Sequence, residues 1–271
     1  MSIDVLEPAR PRVAPVNAKL LFLEPSGRRP RLNFTYDAPA AEVSEIYAPR
    51  TVFIRNARGC GASLDVEGFA LRQHKSAVRD FRDDAEAGSL GRDEAATLVA
   101  QATGAARVHV FDHTVRRSAA DAARQPSTRV HNDYTPLSAH RRVGELLGDE
   151  AEALLKRRFA FINVWRPIRR PALNWPLALC HAETVDLADL IATDIVYPDR
   201  RGEIYGVAYN PAQLWFYYPE MQLDEALLIK CYDSAERVAQ FTPHTSFENP
   251  AAPADAPPRE SIEFRTIAFF D

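Results

Sequence analysis

His131 and Asp133 stand two residues apart in the segment Arg129-Val130-His131-Asn132-Asp133-Tyr134-Thr135-Pro136. On an extended chain, residues i and i+2 point to the same side, so one imidazole and one carboxylate project together. A divalent metal with mixed nitrogen and oxygen preference takes such a pair plus one further ligand. Two histidines and a carboxylate on one face leave coordination positions open, the arrangement of non-haem Fe(II) oxygenases. The expected third ligand is His244, far downstream in Phe241-Thr242-Pro243-His244-Thr245-Ser246-Phe247. Taken singly, a His-x-Asp pair also fits an exposed turn before a helix, and His244 also fits a turn at a strand edge.

A second group opens the last strand-like segment, Arg259-Glu260-Ser261-Ile262-Glu263-Phe264-Arg265. Arginine presents a rigid donor fork matched to a carboxylate, and serine adds a hydroxyl donor. Arg259 and Ser261 are therefore candidates to hold the far carboxylate of 2-oxoglutarate while its keto-acid end chelates iron. Arg265 lies on the same face of that strand and is the rival anchor. An arginine–glutamate pair at a surface strand start is the plain alternative for Arg259. Asn163, in Asn163-Val164-Trp165-Arg166, and Tyr218, in an aromatic cluster with Tyr209, Trp215 and Tyr217, are further candidates for cosubstrate contact. The plain alternatives are core packing and, for Arg166, a salt bridge.

His109 and His113, four apart on a strand, share a face and make a rival metal pair, although buried core histidines are preferred. His113, beside Asp112, is also a candidate to position the metal ligands. His74, His140 and His181 read as surface residues. Cys180 and Cys231 read as buried small hydrophobes.

The composition excludes other classes. The 271 residues carry 33 Lys+Arg and 37 Asp+Glu, a net charge of −4. Bulk electrostatic binding of nucleic acid is not expected. Nor is membrane insertion, since no apolar run approaches the roughly 18 residues required. Three cysteines with no Cys-x-x-Cys suggest neither a disulfide framework nor a thiolate zinc site. The first residues lack the cationic and apolar order of a signal peptide, so a cytoplasmic location is expected. All but four of the basic residues are arginines, a bias that genome composition explains as readily as function. The oligomeric state is open.

Positioning these side chains falls mostly to strands. β-branched and aromatic residues mark strands at 18–23, 50–56, 107–114, 159–165, 202–209, 214–218, 226–232 and 261–270. Helix signals cover 93–103, 138–147, 149–158 and 186–193. An irregular lead-in precedes residue 18, and the Pro/Ala-rich stretch 249–258 reads as a loop. Strands without regular helical alternation favour a mainly β fold with flanking helices, not a doubly wound sheet. One domain, 1–271, is expected, with 1–104 flanking or covering a metal-binding core at 105–271.

In this arrangement the chain resembles the Fe(II)/2-oxoglutarate oxygenase family of the cephamycin 7-methoxylation protein and the fungal hydroxylase/desaturases. The resemblance rests on VFDHT (110–114), HNDYTP (131–136), NVWRP (163–167), YPDRRGEIYGVAYNP (197–211), LWFYYPEMQLDEALLIKCYDS (214–234), PHTSF (243–247) and PRESIEFR (258–265). It implies a double-stranded β-helix, or jelly roll. It also implies Fe(II) held by His131, Asp133 and His244, 2-oxoglutarate anchored by Arg259 and Ser261, and dioxygen as oxidant. The implied reaction is hydroxylation or desaturation of a small organic molecule of secondary-metabolite type. Relatives often carry a histidine before the aromatic run, where this chain has Gln213. A non-catalytic jelly-roll binding protein and a cupin-like metalloenzyme without 2-oxoglutarate are the alternatives.

Overall fold

The structure, a computed structural model, describes residues 14–33 and 42–271. Most of the expected lead-in lies outside the described residues. In chain order the strands are β1 (Val16–Leu23), β2 (Arg31–Asn33), β3 (Glu42–Val43), β4 (Tyr47–Asn56), β5 (Phe69–Gln73), β6 (Arg107–Arg117), β7 (His131–Asn132) and β8 (Phe159–Pro167). They continue with β9 (Leu177–Cys180), β10 (Leu190–Val196), β11 (Arg201–Val207), β12 (Trp215–Tyr217), β13 (Glu225–Asp233), β14 (His244–Ser246) and β15 (Glu260–Phe269). Ten strands form one sheet in the order β1-β4-β12-β9-β14-β7-β11-β10-β2-β3, and five form the other as β5-β13-β8-β15-β6. Each sheet takes strands from both sides of residue 104.

The two sheets face each other across a core of Phe161, Trp165, Leu179, Leu227, Ile229 and Ile267. β8 and β13 are buried at every residue, because their alternate side chains have separate apolar destinations. Phe159 and Phe161 point between the sheets, while Ile162 and Val164 pack under the helix Arg92–Thr103. That helix has Asp93 and Glu94 in its first turn and Gly104 in the left-handed conformation at its end, both standard termination chemistry. Fully burying a side chain such as Phe161 contributes about 1.5–3 kcal/mol. The helix Pro136–Leu147 begins directly after the His-x-Asp segment and is capped reciprocally by Thr135 and Ser138.

Two expectations change here. The helix expected over 186–193 is a single 3₁₀ turn, Leu187–Asp189, followed by β10. Ile191, Thr193, Ile195 and Val196 are β-branched, and that preference prevails over the acidic helix-start signal of Asp186. The stretch 149–158 is likewise split into a 3₁₀ turn, Gly148–Glu150, and the short helix Ala151–Leu155. Among the described residues no helix is long and apolar enough to cross a membrane.

Candidate active site

β7 lies between β14 and β11, and His131 is paired in register with His244. The two rings sit 4.7 Å apart, and Asp133 Oδ1 lies 3.4 Å from His131 Nε2. One ligand atom from each of His131, Asp133 and His244 falls within 4.8 Å of the others, the one such cluster among the described residues.

Backbone carbonyls set the orientation of both rings. His131 Nδ1–H donates to the Arg129 carbonyl at 2.8 Å, and His244 Nδ1–H donates to the Thr242 carbonyl at 2.9 Å. Each Nε2 lone pair is therefore turned toward the shared space, as a metal ligand requires. Asp133 is divided in the same way. Its Oδ2 accepts from Asn163 Nδ2 at 2.6 Å and from the Cys231 thiol at 3.7 Å, leaving Oδ1 toward the histidines. Burial alone would raise the Asp133 carboxyl, but the His131 contact and the charges of His244 and Arg265 outweigh it and hold it well below the usual range. Burial and the neighbouring His131 push His244 down, toward its neutral form. Metal binding needs an ionised carboxylate and an unprotonated imidazole, and the shifts of Asp133 and His244 both run in that direction.

The support behind this cluster begins with Asn132, which the sequence reading overlooked. Its side chain is wholly buried and donates to the carbonyls of Tyr134 (2.7 Å) and Cys231 (2.8 Å). The His-x-Asp segment is thereby tied to β13 in the opposite sheet. On the other side, Thr242 Oγ1 donates to the Gly68 carbonyl at 2.7 Å. Gly68 sits at φ +85°, and a Cβ there would collide with Thr242 Oγ1. The carbonyl that orients His244 thus depends on a glycine far away in sequence.

β15 supplies the next layer. Arg259, Glu263 and Arg265 line one cavity of about 150 Å³ together with His131, Asp133, His244 and Ser246. Ser261 shares their face of the strand, lies in register with Arg116, and is buried with no partner for its hydroxyl. Arg259 Nη1 donates to Ser246 Oγ (3.0 Å) and to the Trp175 carbonyl (2.7 Å), and its guanidinium lies over the Trp165 ring at 5.4 Å. Its Nε is buried without a partner, and no carboxylate pairs with it among the described residues. Burial and the charge of Arg116 push it down to about 9, still cationic at neutral pH. Arg265 differs: its Nη1 donates to Asp112 at 2.7 Å and its Nη2 meets Glu263 at 2.7 Å. Burial opposes its charge, but Glu263, Asp133 and Asp112 outweigh that and raise it.

Other expected residues lie elsewhere. Asn163 reaches the cluster through Asp133. Tyr218 lines neither this cavity nor its larger neighbour and stands edge-on to Phe69 in the core. Gln213 is tied to Asp189 and the Ala208 carbonyl. Arg166 makes no salt bridge among the described residues; it donates to His74 Nδ1 at 3.0 Å and to backbone carbonyls. His74 is accordingly half-buried rather than a surface residue. His109 and His113 do not form a pair, because a register shift opposite Arg265–Thr266 breaks the alternation of β6. His113 aligns with Phe264 on the helix side and meets Asp84 at 2.8 Å, away from the candidate metal ligands. Cys180 and Cys231 are buried as expected. Ser246 and Glu263 were legible in principle, each two residues from a chosen side chain on its own strand. Arg116 carried no sequence signal, since only the β6–β15 register brings it to Ser261.

A family model described as an oxidoreductase/YMDC permease-like domain matches residues 20–269. The hydroxylase/desaturase CTB9 of Cercospora beticola is 35% identical over 257 residues, covering 83% of this chain and 78% of that protein. The Fe(II)/2-oxoglutarate-dependent dioxygenase nvfI of Aspergillus novofumigatus is 34% identical over 178 residues, 64% of each chain. Aspirochlorine biosynthesis protein N of Aspergillus oryzae is 40% identical over 141 residues, 51% of this chain and 59% of that one. This chain thus spans less than two thirds of the length of the latter two. The solved iron and alpha-ketoglutarate-dependent endoperoxidase NvfI superposes with a TM-score of 0.86 at 28% identity, covering 95% of this chain and 98% of that one. The fold is that of a jelly roll, and His131, Asp133 and His244 are its candidate metal-holding group. The chain belongs to the family of Fe(II)/2-oxoglutarate-dependent oxygenases that includes the fungal hydroxylase/desaturases.

Proposed function

We propose that this protein is an Fe(II)/2-oxoglutarate-dependent oxygenase that hydroxylates or desaturates a small organic molecule of secondary-metabolite type. The observation that carries the reading is the His131–Asp133–His244 cluster sharing one cavity with Arg259, a buried cation paired with no carboxylate among the described residues. The residues fit the absent groups: two imidazoles with free Nε2 positions, one carboxylate oxygen, and the buried unpartnered atoms Arg259 Nε and Ser261 Oγ.

His131, Asp133 and His244 would hold the iron from one side. When bound, iron and 2-oxoglutarate supply dioxygen-dependent oxidation of a C–H bond, with 2-oxoglutarate leaving as succinate and CO2. Asn163 keeps Asp133 Oδ2 occupied, so that the carboxylate offers one oxygen to the metal. Arg259 and Ser261 would receive the distal carboxylate of 2-oxoglutarate. Arg265 is the weaker candidate for that role because Asp112 and Glu263 already neutralise it. Trp165 shields Arg259 from water and strengthens its attraction for an anion.

Under anaerobic conditions, Fe(II) plus 2-oxoglutarate is expected to give the weak visible charge-transfer band of the chelate. Metal binding without that band overturns the 2-oxoglutarate reading.

A further inference from the structure

A second and larger cavity, of about 970 Å³, opens beside the first and shares Arg116, Asp133 and Arg265 with it. Nine arginines line it, with no lysine, against seven carboxylates. The chain as a whole carries −4, so the chamber reverses the sign of the molecule. Pairing confines this excess to a few arginines, since Arg82 is also met by Asp80 and Arg265 by Glu263, neither of them a carboxylate of this wall. Asp112 meets Arg265, Asp121 meets Arg117, and Glu145 meets Arg142, each within 3.0 Å. Asp133 is committed to the cluster. By contrast, Arg124 and Arg201 form no ion pair among the described residues.

Arg116 stands at the neck between the cavities. It is partly buried, forms no ion pair among the described residues, and its one side-chain hydrogen bond goes to the Gln125 carbonyl at 2.9 Å. Burial pushes its guanidinium down, and Glu263 only partly offsets this. A guanidinium in such a place keeps most of its donor fork for a planar anion. Arg259 faces the smaller cavity alone, whereas Arg116 faces both.

We propose that the prime substrate is a carboxylic acid and that Arg116 receives its carboxylate at the neck, with the carbon skeleton extending into the chamber. This rests on the 2-oxoglutarate reading of the smaller cavity. Arg116 would then be a specificity-determining residue, separate from the cosubstrate anchor.

The test is calorimetric titration of Ni(II)-loaded protein, with and without 2-oxoglutarate. The probes are benzoate, 9-anthracenecarboxylate and deoxycholate, each against its primary amide. At least one acid is expected to bind about tenfold or more tightly than its amide. Arg116→Gln should erase that preference and Arg116→Lys should restore part of it. Arg259→Gln should keep the preference while weakening 2-oxoglutarate itself. Equal affinity of every acid and its amide, or no acid binding at all, overturns the proposal. So does a preference that survives Arg116→Gln. A loss of 2-oxoglutarate affinity in Arg116→Gln as large as in Arg259→Gln also overturns it, since the carboxylate at Arg116 is then the cosubstrate's. If 2-oxoglutarate fails to bind even the parent protein, the oxygenase reading falls instead, and the acid–amide comparison without it still decides the question for Arg116.

Discussion

Asp133 and the two imidazoles beside it are held by fixed protein partners, whereas around Arg116 the arginines outnumber the carboxylates of the cavity wall. The first region is organised by backbone carbonyls and by wholly buried amides such as Asn132 and Asn163. The second is organised by long side chains, several of them at the solvent edge. Carbonyl partners cannot be changed by substitution, while arginines can. On the proposed reading, the reaction belongs to the rigid region and the choice of substrate to the adaptable one.

The comparison breaks most directly at the ligands. Asp133→Ala or His244→Ala is expected to weaken Mn(II) binding beyond the roughly 100-fold that loss of an outer partner reaches. Retained affinity, measured by titration calorimetry, would sink the cluster assignment. Next in size is Arg259→Ala, which should raise the dissociation constant of 2-oxoglutarate by about 10- to 100-fold, the worth of a charged hydrogen bond lost. Arg265→Ala with the same readout should change little. The opposite result would transfer the anchor to Arg265.

Asn163→Ala should cost about tenfold in metal affinity, the low end for an outer partner, because Cys231 still faces Asp133. No change there would mean that Asp133 is held by its own segment alone. Arg265→Met tests stability instead. Breaking a buried pair costs about 3–5 kcal/mol, but Asp112 is half exposed, so about 2 kcal/mol is expected, a fall of roughly 4–8 °C in Tm. The smallest effect is expected at the chamber edge, where Arg124→Ala should alter acid binding by no more than about twofold. A larger change would extend the rigid region outward.

Much of the first region was legible in the chain itself. His131, Asp133 and His244 follow from alternation on strands and from ligand chemistry, and Arg259 from its place at the start of β15. Seven of the eight longest strands carry β-branched and aromatic runs that local propensity reveals, whereas β10 was masked by the acidic helix-start signal of Asp186. Shorter strands such as β7 and β14 have no such run, and their existence depends on pairing across long sequence distances. The His109–His113 pair failed for a related reason: one extra residue in β6 flips the face, and nothing in Val108–Thr114 announces it. The charge of the chamber was hidden too. A general abundance of arginine carries no spatial information until the register of β6 against β15 gathers part of it around one opening.

Gly68 extends the candidate metal centre to a position with no chemistry of its own. Any side chain there displaces Thr242, whose carbonyl sets the tautomer and the aim of His244. The mutational footprint of the centre is therefore wider than its ligand list. In a saturation library sorted on metal occupancy, position 68 would close almost as tightly as 244 itself, while position 124 would stay open.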